Sequence, residues 1–359
     1  MITPALTDRL WPYIKEEYFN LLDTSLSNNQ LFDGVHVKTV EQEICKLTNR
    51  KHCIFTNSGT SAILMSLIAL GIKPGDEVIC SNLSHPASAN QVSLLNATPV
   101  FVDVDQYGHL NPNQVENCVT SNTKAILPVG LYGENYDHSA IQIIANKYNL
   151  KILEDSAQSY ATFYDQLPAG SLGDVSVLSF ARNKPAMTPF GSGALVTDSE
   201  EIANRAKLIG THGKLSRSTC ITTLGINAQA KEDRAIATVI ALRNIKKWNN
   251  KRSTIADYYK DACKVKGIKL RECRPQSTNN NHKFVMFLDN PQKTIDFFRK
   301  KHVQLVKYYQ EGFEQSILGQ QIKRMPASEK FIQYSVVLPT DPFITDNEIE
   351  HICNLILAI

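Results

Sequence analysis

Val175-Ser-Val-Leu-Ser-Phe-Ala-Arg-Asn-Lys184 reads as a buried strand that runs out into a short polar turn carrying one amine. Upstream, Lys151-Ile-Leu-Glu-Asp155 is a second short apolar run, and it ends in a carboxylate before continuing into Ser156-Ala-Gln158. Further upstream, Asn57-Ser-Gly-Thr-Ser-Ala62 lies between an apolar strand, His52-Cys-Ile-Phe-Thr56, and an apolar helix from Thr60 to about Leu70. Short apolar runs separated by helical spans predict an α/β fold with a mostly parallel sheet buried on both faces. Ligands of such sheets bind at the carboxyl ends of the strands. All three stretches place their polar residues there.

The same rhythm continues outward. Lys73-Pro-Gly-Asp76 is a turn, Glu77-Val-Ile-Cys80 a strand, and a helix is expected from about Pro86 to Leu95. Thr98 to Val104 and Lys124 to Val129 read as strands, and a helix from about His138 to Tyr148 leads into Lys151. The last third differs. A long helical span from Ala230 to about Lys260 could bridge two domains, and the polar run Arg274-Pro-Gln-Ser-Thr-Asn-Asn-Asn281 reads as a loop. Lys283 to Leu288 is an expected strand and Asp346 to Ala358 a closing helix. The expected division is a large α/β domain over residues 1–244, with an N-terminal arm, and a smaller α+β domain over 245–359.

Bulk properties narrow the function classes. With 359 residues the chain can bury a sizeable core, and 43% hydrophobic with 20% charged residues is ordinary for a globular protein. A net charge of +3, with Lys and Arg scattered, argues against a nucleic-acid partner. The longest apolar stretch, Ala62 to Ile72, is interrupted by Ser66 and is far shorter than the roughly 20 residues a membrane helix needs. No basic segment followed by an apolar one opens the chain, so a soluble, cytoplasmic protein is expected. The eight cysteines include no C-x-x-C pair, which fits reduced thiols better than disulfides or a metal site. Cys53 and Cys80 are expected in the core.

An amine, a carboxylate and a hydroxyl-rich helix start, each at a strand end, are the parts needed to hold pyridoxal 5′-phosphate. Gly59 allows close backbone approach to a phosphate, and Thr60 and Ser61 open the helix whose N–H groups would face it. A plain helix cap explains the same residues. Asp155 would keep the pyridine nitrogen protonated so that the ring accepts electrons, although a solvated strand-end carboxylate reads the same way. Gln158 could reach the ring oxygen or the phosphate. Lys184 would form the Schiff base and then move the proton between substrate and cofactor.

Ser58-Gly-Thr-Ser-Ala62, Glu154-Asp-Ser-Ala-Gln158, Gly170-Ser-Leu-Gly-Asp174 and Ser179-Phe-x-x-Asn-Lys184, in this order, resemble the DegT/DnrJ/StrS sugar aminotransferases. The Asn-Lys form is most similar to the perosamine synthetase branch. The resemblance extends from about Gly34 through Gly225-Ile-Asn227 and faintly to Leu338-Pro339. It implies a fold-type-I dimer with a seven-stranded-type large domain and bound pyridoxal phosphate. It also implies amination of a keto group on a nucleotide-linked sugar for amino-sugar or polysaccharide biosynthesis, with L-glutamate as donor. By position, Gly59, Thr60 and Ser179 would hold the phosphate, Asp155 the ring nitrogen and Lys184 the aldehyde carbon. His85 stands where the family usually has an aromatic stacked on the ring. Asn227 matches a residue that reaches the phosphate from the other subunit of a homodimer.

The chain also departs from the pattern. Phe190-Gly-Ser-Gly193 lacks the family's usual acid, Gln229 replaces an Arg, and the common His-Tyr pair is absent around Val303-Gln-Leu-Val-Lys307. Substrate identity is therefore open, including another donor or a cyclitol ketone. Two alternatives stand: a sugar dehydratase, which in this family usually carries His in place of the lysine, and a regulatory homologue without catalysis.

Overall fold

The structure, a computed structural model, describes all residues except 31–33, 215–219, 314, 315, 317 and 319–323. Among the described residues the strands are β1 (His52–Thr56), β2 (Glu77–Ser81), β3 (Thr98–Val102), β4 (Thr123–Leu127), β5 (Lys151–Asp155), β6 (Phe163–Tyr164), β7 (Leu167–Pro168), β8 (Val175–Ser179), β9 (Gly193–Thr197), β10 (Lys269–Leu270), β11 (Phe284–Phe287) and β12 (Ser335–Leu338). The large sheet has seven strands in the order β1-β9-β8-β5-β4-β2-β3. Strands β8, β5, β4, β2 and β3 are parallel neighbours, while β9 runs antiparallel to both β1 and β8. Two reversals leave β1 parallel to the rest, so the ends of β1, β5 and β8 share one rim. The α/β expectation holds. The sequence reading did not anticipate β9, the inverted strand.

Alternation along the strands gives each face its own core. Val78, Ala125, Leu153, Val177 and Leu195 face the helix at Gly59–Ala69. Ile79, Ile126 and Ile152 face the helix at His138–Tyr148. The Gly59–Ala69 helix is apolar around most of its circumference, as a helix packed between elements must be.

The helix Glu232–Lys266 ends on Gly267, whose φ of +67° provides the left-handed stop. Its first half, Ala235 to Trp248, packs on Leu178, Ala194 and Val196 of the large sheet. Its second half, Ile255 to Cys263, packs on β11 and β12 of the three-stranded sheet. The expected division between residues 244 and 245 falls inside this one continuous helix. Ile2 and Leu6, at the chain start, also join the small-sheet core. Cys80 is buried, whereas Cys53 is half-buried against the core. No described helix is long and apolar enough to cross a membrane.

Candidate active site

A cavity of about 300 Å³ opens at the shared rim of the large sheet. Gly59, Thr60, His85, Asp155, Ser179 and Lys184 line it, with Asn57, Phe190 and Tyr308 closing the edges. Six of the nine sequence-predicted site residues thus meet in one place, drawn from a helix start, a helix cap and the ends of two strands.

Two glycines make the convergence possible. A Cβ on Gly59 would stand 2.9 Å from Ser179 Cβ, and one on Gly193 would stand 2.3 Å from Gly59 N. The start of the Gly59–Ala69 helix, the end of β8 and the beginning of β9 are therefore in contact through bare backbone. A helix N-terminus opening on this cradle is a site for a dianion. Ser61 has a different task. Its N–H bonds Ser58 Oγ at 3.1 Å, and its hydroxyl donates to Asn57 Oδ1 at 2.7 Å, so it fixes the cap and does not line the cavity.

Neighbouring carboxylates on β5 point to opposite faces. Asp155, 4% exposed, accepts from Ser88 Oγ at 3.1 Å and Ala157 N at 3.0 Å and lines the cavity. Glu154 turns away and accepts from Gly170 N at 2.9 Å, Leu172 N at 2.8 Å, Ser176 Oγ at 2.6 Å and Ser156 Oγ. It is buried and staples the 170–172 loop to the sheet. Lys184 sits in the turn after β8, and its N–H bonds Ala181 O at 3.0 Å. Burial lowers the pKa of its amine, an effect partly offset by Asp155. A lysine of reduced basicity is suited to nucleophilic and base chemistry.

His85 caps the helix Pro86–Leu94, its Nδ1 accepting from Ala87 N at 3.2 Å. Partial burial and the Lys184 charge lower its pKa, so it is a neutral ring at the rim. Gln158 is buried behind the cavity, where its Oε1 accepts from Tyr132 N at 3.2 Å. Asn227 lies exposed outside the cavity, and its carbonyl accepts from Asn57 Nδ2 at 3.2 Å.

Three further residues escaped the sequence reading. Arg234 donates to Asn57 O at 2.6 Å and Gly191 O at 3.2 Å, clamping two cavity loops together. Arg252, fully buried, donates to Pro185 O at 2.9 Å and holds the turn that carries Lys184. Tyr308 adds an aromatic wall from the segment before the small sheet's last strand. All three act through spatial neighbours distant in sequence, so no local pattern marks them.

Residues 12–357 match the model of the DegT/DnrJ/EryC1/StrS aminotransferase family. The chain belongs to this family. It is 29% identical over 342 residues to the UDP-2-acetamido-2-deoxy-3-oxo-D-glucuronate aminotransferase of Pseudomonas aeruginosa, covering 95% of each chain. It is 33% identical over 257 residues to the GDP-perosamine synthase of Caulobacter vibrioides, covering 71% of this chain and 68% of that one. Among solved structures, NtdA from Bacillus subtilis with bound cofactor PMP superposes with a TM-score of 0.88 at 28% identity, covering 96% of this chain and 81% of the other. Family membership makes this chain a pyridoxal phosphate-dependent sugar aminotransferase. The cavity fits that cofactor: a glycine-bared cradle for its phosphate, a buried carboxylate for its ring nitrogen and a lysine of lowered basicity for its aldehyde carbon.

Proposed function

We propose that this chain transfers the amino group of L-glutamate to a keto group of a nucleotide-linked sugar, acting as a cytoplasmic homodimer. The convergence of Gly59, Asp155, Ser179 and Lys184 on one cavity is the observation that carries this reading. The names of the two curated relatives support the acceptor class. The exposure of Asn227 beside the cavity loop at Asn57 supports a contribution across a dimer.

Pyridoxal phosphate supplies, when bound, an electron sink and a carrier for the amine. Gly59, Thr60 and Ser179 would hold its phosphate, Asp155, fixed by Ser88, would keep its ring nitrogen protonated, and Lys184 would hold its aldehyde carbon. The amine of Lys184, of lowered basicity, would serve as the base and acid that moves the proton of the donor's Cα, and would do the same in reverse for the sugar. His85, neutral and at the rim, offers a flat face without adding charge.

The first test is spectroscopic. Protein incubated with pyridoxal phosphate should show a visible band that L-glutamate bleaches. A protein that takes up no cofactor would defeat the proposal. Retention of a lysine at position 184 favours aminotransfer over dehydration.

A further inference from the structure

Behind Tyr308, an aromatic residue of the cavity lining, lies a buried lysine without a counter-ion. Lys283, immediately before β11, is 7% exposed. Its Nζ lies 5.3 Å from the centre of the Tyr308 ring, and Tyr308 lines the cavity. Among the described residues, no carboxylate stands within ion-pair distance of it.

The charged groups facing it are Lys184 from the turn after β8, Arg252 from the long helix and Asp341 from the loop after β12. Both Asp341 oxygens are engaged, one by Leu6 N at 2.9 Å and the other by Phe343 N at 3.0 Å. Asp155, the carboxylate of the cavity, is held by Ser88 and Ala157. Neighbouring His282 is buried and kept neutral by burial and by the cations around it, and its Nε2 has no partner. The buried hydroxyl of Tyr132, whose ring lies 6.0 Å from that of Tyr308, is also without one. Lys283 thus lies among polar groups that have no carboxylate to offer it. An unpaired buried ammonium is costly, and an aromatic face compensates only in part.

We propose that Lys283 recognises a carboxylate of the substrate, its ammonium pairing with that group beside Tyr308. The inference rests on the aminotransfer reading above. The carboxylate can come from the amino donor or from a uronic acid acceptor, and both would form the charge-assisted hydrogen bonds that Lys283 lacks. Burial, with Lys184 and Arg252, brings the Lys283 amine down to about 7. Pairing restores the ammonium, so carboxylate binding at about pH 8 takes up a proton.

The test is calorimetric titration of the cofactor-loaded protein with glutarate, and separately with UDP-glucuronate and UDP-glucose. Lys283→Gln should weaken glutarate about tenfold or more if the donor's carboxylate is the partner, or erase a preference for UDP-glucuronate over UDP-glucose if the sugar's is. Lys283→Arg should retain most of the affinity but bind without proton uptake. Unchanged affinities in a folded, cofactor-loaded Lys283→Gln protein would overturn the inference. Should both variants fail to fold, absence of proton uptake by the unsubstituted protein on binding either carboxylate overturns it. Failure of the underlying reading would show differently, as loss of the cofactor's visible band before any ligand is added.

Discussion

The two sides of the cavity are built on different principles. On the strand-end wall, functional groups are tied down: Asp155 by Ser88 and Ala157, the helix start by Ser58, and the loops by Arg234. On the Tyr308 side, behind the lining, His282 Nε2 and the Tyr132 hydroxyl have no hydrogen-bond partner among the described residues, and Lys283 has no ion pair there. The first side is preorganised, as a site for a permanently resident cofactor should be. The second is left unsaturated, as suits a surface whose partner comes and goes with each turnover. A buried donor without an acceptor costs stability, and that cost is recovered when ligand binds.

The contrast is broken most severely by Lys184→Ala. It should abolish both the lysine-linked visible band and turnover, a loss of about four orders of magnitude or more, read by absorbance and single-turnover assays. Measurable multiple turnover would remove the lysine from the role given to it. Asp155→Asn should leave the fold intact and lower turnover about a hundredfold if, as proposed, Asp155 is the anionic partner of the ring nitrogen. Its neighbour behaves in the opposite sense. Glu154→Ala leaves four donors unmet and should cost about 3 kcal/mol in denaturant unfolding, with activity falling only as the 170–172 loop loosens.

Gly59→Ala places a methyl 2.9 Å from Ser179 Cβ and should cost about 1–3 kcal/mol, appearing chiefly as weaker binding of pyridoxal phosphate. An unchanged cofactor affinity would mean the close approach is not needed. The smallest effect concerns pH. Lys283 has a folded-state pKa of about 7 against an ordinary value of 10.5, so the unfolded chain binds more protons between these values. Stability contributed through Lys283 therefore rises with pH across that window. The stability difference between the unsubstituted protein and Lys283→Met should follow this slope in apoprotein melts; a flat difference would mean the amine is not held neutral.

Parts of this were legible in the chain. Strand and helix order could be read because each strand is a short apolar run bounded by turns, as at Lys151–Asp155 and Val175–Ser179. The antiparallel β9 was not read, since Gly193-Ala-Leu-Val-Thr197 has strand composition but nothing that fixes direction. Lys184, Asp155 and Gly59 stood out only in combination, because a surface amine, a solvated carboxylate and a helix cap explain each of them alone. Ser61 and Gln158 were also singled out, but in the structure they support the cavity from outside its lining. Glu154 and Asp155 are adjacent in sequence, and only their alternation across the sheet separates the structural carboxylate from the one facing the cavity.

By itself the sequence determined the alternating architecture, the family and the strand-end residues that line the cavity, because these depend on local periodicity and on residues next to one another. Only the tertiary structure decided the Tyr308 side. Lys283, Arg252 and Tyr308 come from a strand start, a long helix and a connecting segment, and their proximity to Lys184 arises from packing two sheets against one helix. Whether a buried amine has a counter-ion depends on that packing, since it is set by which charges lie within a few ångströms in space.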